Sequence, residues 1–332
     1  NMKIKSEEKG TEKKKRKKKK MHPFVRGFLG CMVVLVLLLG AAGFLAGGFL
    51  YGRLNYQEID SLSSEPFKEE GVKNILLIGN DSRTDDESGR SDAMILVSIS
   101  SRTNSIHLTS FLRDMYVDIP GHDGNRLNAA YAYGGPELLM ETLEENFDIE
   151  VNRYMLVNFQ AFANLIDAVG GIELDVTNEE VQYINGYLVE YNQLEGRPEG
   201  TDYLDTSLSG NIHLNGPQAL AYCRNRYIGT DFARTERQRK VIAAAVKKAP
   251  LALATNGSEL IDGVMSNITT NLTSSEFRGL LLQAPSMMTY EMVQGSIPQE
   301  GTYSNATIRG MAVLEVDFEA NKEYIQTEIY GK

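Results

Sequence analysis

The longest apolar stretch of the chain runs from Gly27 to Tyr51 and contains 25 residues without a charged side chain. A helix of this length can cross a hydrocarbon layer of about 30 Å, so the run predicts one membrane span. Eight consecutive basic residues, 13–20, precede it, and only Arg53 follows it closely. Because positive charge accumulates on the cytoplasmic side, we expect a cytoplasmic N-terminus and an extracellular remainder. A cleaved signal peptide is the alternative, but its apolar region is normally shorter and no clear cleavage site follows.

Beyond this run, short hydrophobic stretches alternate with amphipathic ones. Nearly continuous or β-branched apolar stretches predict strands at 73–79, 93–99, 105–111, 172–176, 291–297 and 311–316. Helical spacing predicts helices at 136–147, 159–169, 217–223, 233–249, 258–267, 274–282 and 318–329. Residues 183–212 are rich in Gly, Asn, Ser and Tyr and are interpreted as a long surface loop. Alternating strands and helices predict an α/β fold with a mostly buried, mixed central sheet.

These patterns divide the chain into four segments. We expect a basic cytoplasmic tail at 1–26, a transmembrane helix at 27–51, an extracellular stalk at 52–71 and an extracellular domain at 72–332. The stalk is polar and lacks a sustained period. The C-terminal part of the domain brings no second set of motifs, so we expect it to complete the same layered unit. A separate small domain there is the alternative.

Charge is divided as sharply as hydrophobicity. The net charge is -10, but residues 1–26 carry twelve Lys or Arg and three Glu, a balance of +9, so the remainder carries -19. An acidic body excludes general binding of nucleic acid, which requires a basic surface. The two cysteines, Cys31 in the apolar run and Cys223 far from it, cannot form a disulfide framework across a membrane boundary.

The acidic body nevertheless contains clustered arginine. After residue 26 there are fifteen Arg and seven Lys, and eight of these Arg fall in four short polar segments. Guanidinium is a planar donor that binds two phosphate oxygens at once, whereas Lys serves solubility equally well. The clustering therefore predicts a phosphorylated ligand.

Two of the segments flank the first loop of the predicted sheet. Asp81 and Arg83 follow the first buried strand, and Arg90 and Asp92 precede the second. Ligand sites in open α/β sheets form at such strand ends. Two carboxylates without a nearby His suit a hard cation such as Mg²⁺, with Mn²⁺ as a substitute, bound together with diphosphate oxygens. The alternative is that both carboxylates cap turns.

The other segments carry the remaining arginines. Arg113 follows the third predicted strand, beside Asp114, and Arg126 lies in the next polar stretch; both are candidates for phosphate contact, with a surface ion pair as the alternative for Arg113. Further along, helical spacing puts three polar side chains on one face, and two more arginines precede them. Convergent like charges cost stability unless an anion compensates them. The diphosphate-binding candidates of this cluster are Arg224, Arg226, Arg234, Arg237 and Gln238.

Several catalytic motifs are absent from the sequence. It contains no G-x-S-x-G elbow, no Walker A loop, no dinucleotide fingerprint and no His or Cys pair at zinc spacing. Covalent catalysis by Ser or Cys is therefore not expected. Cys223 is interpreted as a packing residue, although neighbouring arginines would lower the pKa of an accessible thiol.

Taken together, these motifs resemble the LytR-CpsA-Psr family over roughly residues 72–250. The resemblance is carried by a basic tail and one span, followed in order by 74–83 (NILLIGNDSR), 90–92 (RSD), 111–114 (FLRD), 127–131 (LNAAY), Arg224-x-Arg226 and Arg234-x-x-Arg237-Gln238. It implies a three-layer α-β-α domain that holds a polyprenyl diphosphate, with the prenyl chain in an apolar cleft. It also implies that Asp81 and Asp92 hold Mg²⁺. The diphosphate residues it implies are Arg83, Arg113, Arg224, Arg226, Arg234 and Gln238.

The implied activity is phosphotransfer from a polyprenyl-diphosphate-linked glycopolymer, a teichoic acid or capsular polysaccharide, to peptidoglycan. Arg113 and Arg234 would supply electrostatic catalysis, and Asp81 or Asp231 would be the general base. Arg126 and Arg239 depart from residues frequent in relatives, which bears on substrate preference. A non-catalytic envelope sensor and a diphosphate hydrolase remain alternatives.

Overall fold

The computed structural model describes residues 51–59, 71–80, 91–264 and 268–332, together with the single residues 48 and 67. The side chains of 80, 92 and 249–264 are not described. The predicted tail, nearly all of the predicted span, and the segment 81–90 therefore lie outside the described residues. Within the described part of the chain, no helix has the length and apolar character that crossing a membrane requires.

The described residues contain thirteen strands and seven helices. The strands are β1 (Asn55–Tyr56), β2 (Val72–Asn80), β3 (Ser91–Ser100), β4 (Ser105–Phe111), β5 (Tyr116–Val117), β6 (Asn125–Arg126), β7 (Tyr154–Asn158), β8 (Ile172–Val176), β9 (Gly210–Leu214), β10 (Ile268–Thr270), β11 (Glu291–Ile297), β12 (Tyr303–Ile308) and β13 (Met311–Val316). The helices are α1 (Leu127–Phe147), α2 (Phe159–Ala168), α3 (Asn178–Leu194), α4 (Gly216–Arg224), α5 (Asp231–Val264), α6 (Ser274–Met287) and α7 (Phe318–Glu328).

The central sheet has seven strands in the order β1-β10-β7-β2-β3-β4-β11. The three apolar stretches predicted as strands are its β2, β3 and β4, which pair antiparallel in succession. β7 lies parallel to β2, and β11 lies parallel to β4, so the sheet is mixed as predicted. The C-terminal strand β11 thus joins the main sheet at its edge.

Helices cover both faces of the sheet because alternate strand residues point to opposite sides. Leu76 and Ile78 of β2 belong to a core that includes Leu139 and Leu143 of α1 and residues of α7. Ile95 of β3 packs on the opposite face, against the buried Ala243 of α5. α2, α4 and α5 also pack on one another and form a helical layer on this face of the sheet.

The predicted helix at 136–147 begins earlier than the sequence indicated. α1 starts at Leu127 and is kinked at Gly134 and Gly135, where φ of Gly135 is 63°. Pro136 follows the kink and starts the second, regular part of the helix. The sequence signal therefore marked the restart of the helix after the kink.

The interpretation of 183–212 as a surface loop was wrong at both ends, and its last residues, 210–212, belong to β9. Residues up to Leu194 belong to α3, which is capped by Thr177 and Glu180 in a capping box. Its buried side chains Val181, Ile184 and Leu188 recur at helical spacing. The helix predicted at 233–249 and residues 258–264 of the helix predicted at 258–267 are likewise parts of the single long helix α5, and 265–267 lie outside the described residues.

A buried ion pair fixes α6 to the sheet. Arg153, which is 1% exposed, donates to both carboxylate oxygens of Glu276, with Nε–Oε2 and Nη2–Oε1 distances of 2.8 Å. Glu276 also accepts from the backbone N–H and the hydroxyl of Thr273 at the start of α6. Although burial raises the pKa of Glu276, these hydrogen bonds and the nearby guanidinium hold it below its usual range.

Candidate functional site

A cavity of about 290 Å³ lies between the sheet and the layer formed by α2, α4 and α5. Its interior is apolar, and its walls come from β2, β3, β7 and the three helices. The apolar lining includes Leu77, Ile95, Met155, Val157, Phe162, Leu165, Ile166, Ile242, Ala245 and Ile268. The apolar part of this cavity suits a hydrocarbon chain.

Polar side chains line the same cavity near the junction of α4 and α5. α4 ends at Arg224, and α5 begins at Asp231 after a short connection. The polar side chains that line the cavity here are Arg224, Arg226, Arg234 and Gln238. All four were predicted as diphosphate ligands. They bring three guanidinium groups to an otherwise apolar cavity.

Arg234 is held by Asp231 at the N-terminus of α5. The guanidinium of Arg234 is 4% exposed, and its Nη2 lies 2.8 Å from Oδ1 of Asp231. The same oxygen lies 3.9 Å from Nη2 of Arg113. Asp114 lies 3.8 Å from Arg113 and 3.7 Å from Arg126. These five residues form a row of alternating charge that leads away from the cavity, and we call it the charge row.

The outer end of the charge row is engaged with the protein. Nε and Nη2 of Arg126 donate to the carbonyl oxygen of Ala312 in β13, at 3.1 and 2.8 Å. Arg126 was predicted as a phosphate ligand, but it does not line the cavity. Arg113 also lies outside the lining and reaches the cavity through Asp231, which connects it to Arg234.

Arg237 departs from the prediction that it shares a phosphate-binding face with Arg234 and Gln238. It is 5% exposed and donates to Oε1 of Glu180 at 3.3 Å. It also donates to the carbonyl oxygens of Asn225 and Ile228, at 3.0 and 2.8 Å. Arg237 therefore tethers the connection between α4 and α5, and it positions the arginines that line the cavity.

Gln238 presents a buried polar atom to the cavity. Its Oε1 is buried, and no partner for it exists among the described residues. Buried polar atoms in folded proteins nearly always have a hydrogen-bond partner, so such an atom at a cavity wall indicates a place for a polar ligand group. An amide can present either its oxygen or its NH₂ group there.

Arg224 is held between aromatic rings. Its guanidinium carbon lies 4.1 Å from the ring centroid of Phe159 and 5.3 Å from that of Tyr187. The attraction between the guanidinium and the two rings restrains the position of Arg224. Sequence reasoning missed both rings, because neither belongs to a polar motif.

Cys223 lies beside this cluster but cannot act as a nucleophile in this state. It is buried, and burial raises the pKa of its thiol far above the usual range despite the nearby Arg237. A thiol must ionise to attack, so the sequence interpretation of Cys223 as a packing residue agrees with its environment.

The predicted metal ligands lie at the edge of the described region. Asp81 and Arg83 are outside it, and for Asp92 only the backbone is described. Gly79 pairs with Ala93 and Asn80 with Ser91, so residue 92 is the extra residue of a β-bulge. Gly79 and Ala93 both line the cavity. Among the described side chains, no cluster of three or more His, Cys, Asp or Glu could hold a metal ion.

A mixed α/β domain with arginines at one side of an apolar cavity has the chemistry expected of a protein that binds amphiphilic anions. The LytR_cpsA_psr family model matches residues 52–328. A relative from Oceanobacillus iheyensis, polyisoprenyl-teichoic acid--peptidoglycan teichoic acid transferase TagU, is 34% identical over 295 residues, which cover 82% of this chain and 83% of the relative. The chain therefore belongs to the LytR-CpsA-Psr family.

Solved structures agree with this assignment. The structure of TagT bound to LI-WTA has a TM-score of 0.63 and 26% identity, with 81% of this chain and 96% of that chain covered. Protein gbs0355 from Streptococcus agalactiae gives a TM-score of 0.63 and 27% identity, with 80% and 90% covered. The mixed sheet with its helices is thus the fold of the family.

Proposed function

We propose that this protein transfers a glycan phosphate from a polyprenyl-diphosphate-linked glycopolymer, a teichoic acid or a capsular polysaccharide, to peptidoglycan. The observation that carries the proposal is that one cavity combines an apolar interior with polar side chains at one side, namely Arg224, Arg226, Arg234 and Gln238. A polyprenyl diphosphate has the same two parts. The name of the Oceanobacillus relative supplies the reaction class.

The arginines serve both binding and catalysis. In the proposed step, a sugar hydroxyl oxygen of peptidoglycan bonds to the sugar-proximal phosphorus, the bond from that phosphorus to the bridging oxygen breaks, and polyprenyl phosphate leaves. The hydroxyl proton passes to a general base, for which Asp81 and Asp231 are the candidates. Guanidinium groups that are fixed beforehand stabilise the charge that develops on the phosphate oxygens.

Asp231 and Arg113 position Arg234 in this scheme. Because Arg234 is nearly fully buried, its charge must be compensated when no phosphate is bound. Asp231 does so at 2.8 Å, and Arg113 balances Asp231 in turn. A bound diphosphate can then share the guanidinium with Asp231 without a large change in its position.

A divalent cation, Mg²⁺ or its substitute Mn²⁺, is part of the proposal. The chemistry of the donors fits, because carboxylates are the preferred ligands of hard cations, and the backbone of residue 92 forms a β-bulge next to Ala93, which lines the cavity. Asp81 and Asp92 would hold the ion. When bound, it would neutralise charge on the diphosphate.

We further propose that residues 27–51 anchor the domain at the outer face of the plasma membrane, with the tail 1–26 in the cytoplasm. Tyr51 at the end of this segment donates to the carbonyl oxygen of Leu272 at 2.9 Å and packs against Phe277, 6.0 Å between centroids. Tyr51 and Phe277 belong to one apolar cluster with Ile268, which also lines the cavity. The apolar wall of the cavity would therefore face the bilayer that supplies the prenyl chain.

The decisive experiment uses the full chain in nanodiscs with a polyprenyl-diphosphate-linked saccharide, peptidoglycan oligomers and Mg²⁺ or EDTA. We expect metal-dependent appearance of sugar phosphate on the oligomers by mass spectrometry, lost in Asp92→Ala and Arg234→Ala. Lys240→Ala, an exposed change on the same helix, is the matched control. Lipid binding without transfer would favour a sensor, and release of free sugar phosphate would favour a hydrolase.

A further inference from the structure

A second cavity adjoins the first at Arg224. Its volume is about 470 Å³, within the range of about 300–1,000 Å³ that small-molecule sites occupy. α3 supplies Tyr187, Glu190 and Tyr191 to its walls, Glu195 follows at the end of that helix, and the start of α2 supplies Phe159. We call it the aromatic cavity. It shares Arg224 with the apolar cavity described above.

The walls of the aromatic cavity differ in chemistry from those of the apolar one. Tyr187 and Tyr191 are one helical turn apart on α3 and stack, with 6.3 Å between ring centroids and an angle of 28°. Glu190 and Glu195 add two carboxylates, against the one guanidinium of Arg224. Burial raises the pKa of Tyr191, so its phenol stays protonated and can donate a hydrogen bond.

Stacked aromatic rings beside carboxylates favour the binding of an uncharged ring that carries several hydroxyl groups. The C–H edges of a pyranose are partly positive and pack against the negative faces of aromatic rings, and carboxylates accept hydrogen bonds from its hydroxyl groups. A phosphodiester chain would instead meet two negative charges in the same space. We propose that the aromatic cavity binds a neutral pyranose of the substrate.

The position of the cavity gives this site its role, which rests on the proposed function. A diphosphate bound to Arg224 would place its phosphorus next to the aromatic cavity. Two pyranoses must come to that phosphorus: the first sugar of the donor, which is bonded to it, and the acceptor sugar whose hydroxyl attacks it. Both present the same ring chemistry, and kinetics can tell them apart.

The test uses the full chain in nanodiscs and three probes: polyprenyl diphosphate without sugar, polyprenyl-diphosphate-linked N-acetylglucosamine, and a peptidoglycan tetrasaccharide. Tyr191→Ala and Leu194→Ser change the aromatic cavity, and Leu194 is 55% exposed, so its replacement leaves folding intact. Tyr191→Phe keeps the ring face. Tyr203→Ala and Leu208→Ser are the controls, at exposed positions outside the lining.

We expect Tyr191→Ala to weaken the binding of one sugar-bearing probe about tenfold. Tyr191→Phe should retain most of the wild-type affinity, and Leu194→Ser should weaken the binding of the same probe. The Kd for the bare diphosphate should stay within about twofold of wild type, and the controls should match wild type. A higher KM for the donor assigns the site to the donor sugar, and a higher KM for the tetrasaccharide assigns it to the acceptor.

Two outcomes overturn the inference while leaving the proposed function in place. One is wild-type affinity for both sugar-bearing probes in Tyr191→Ala and Leu194→Ser. The other is an equal loss of affinity for the bare diphosphate, which would make the rings supports of Arg224 only. Failure of the wild-type protein to bind the bare diphosphate would instead overturn the proposed function itself.

Discussion

Asp231 and Arg234 are hydrogen-bonded across the first turn of α5, with 2.8 Å between Oδ1 and Nη2. The carboxylate compensates a guanidinium that is nearly fully buried, and it contacts the same side chain that the proposed anionic ligand would contact. It therefore opposes the ligand electrostatically while it keeps Arg234 in position.

We expect Asp231→Asn to lower the free energy of unfolding of the ligand-free protein by about 2 kcal/mol, the scale of a hydrogen bond to a charged group. Its affinity for polyprenyl diphosphate should equal or exceed that of wild type, because a negative charge beside the anion is removed. Denaturant unfolding and lipid titration measure the two quantities. If Asp231→Asn lost binding as severely as Arg234→Ala, the compensating role would be wrong.

We expect replacement of Arg237 to reduce stability and replacement of Arg224 to reduce ligand affinity, although the two residues are close in sequence and both lie near an aromatic ring. Arg237→Ala leaves Glu180 buried without its partner, so we expect a loss of about 3–5 kcal/mol in the free energy of unfolding. Arg224→Ala should change the free energy of unfolding little but weaken the binding of polyprenyl diphosphate at least about tenfold. Unfolding curves and lipid titrations on the two variants check this, and a large stability loss in Arg224→Ala would contradict it.

The apolar cavity predicts a dependence on chain length. Ala245 is 5% exposed and lines the cavity, so Ala245→Phe would fill part of the space proposed for the prenyl chain. We expect weaker binding of long polyprenyl diphosphates and unchanged binding of a short-chain analogue. Titrations with a series of chain lengths measure this. Equal loss for all lengths would indicate general damage to the site.

Features that depend on residues close together in the sequence could be predicted from it, whereas features that depend on tertiary packing could not. β2 and β3 were predictable because their sequences are nearly continuously apolar, as in buried strands. That Arg224, Arg226, Arg234 and Gln238 lie close together was predictable from their spacing, and all four line one cavity. The orientation of the Arg237 side chain was not predictable, since Glu180 of α3 and two carbonyl groups of the connection between α4 and α5 determine it. α3 was hidden by its Gly, Asn and Tyr residues, whose composition resembles that of a loop.

The aromatic cavity was beyond sequence reasoning for a related reason. Phe159 and Tyr187 are ordinary apolar positions of two helices that are distant in sequence, and only tertiary packing brings both rings to Arg224. The one local signal was Asn158, whose side chain caps α2 and lines both cavities. Capping residues are common, so this signal carries no function by itself.

The buried pair of Arg153 and Glu276 predicts a pH dependence of stability. Because the pKa of Glu276 is lowered in the folded state, its ionised carboxylate stabilises the fold above the ordinary carboxyl pKa, and this contribution is lost as the pH falls through the folded pKa. Glu276→Gln should lower the free energy of unfolding by about 3 kcal/mol at pH 7. The difference from wild type should shrink below about pH 4 in a denaturation series; a constant difference would contradict the role of its charge.

The location of the lipid can be measured by photo-crosslinking. The full chain in nanodiscs would be irradiated with a polyprenyl diphosphate that carries a diazirine in its prenyl chain, and labelled peptides would be mapped by mass spectrometry. We expect labels on Met155, Leu165 and Ile242, which line the apolar cavity, and their loss in Arg234→Ala. Labels confined to surface residues, or unchanged by Arg234→Ala, would contradict the proposal that this cavity holds the lipid carrier.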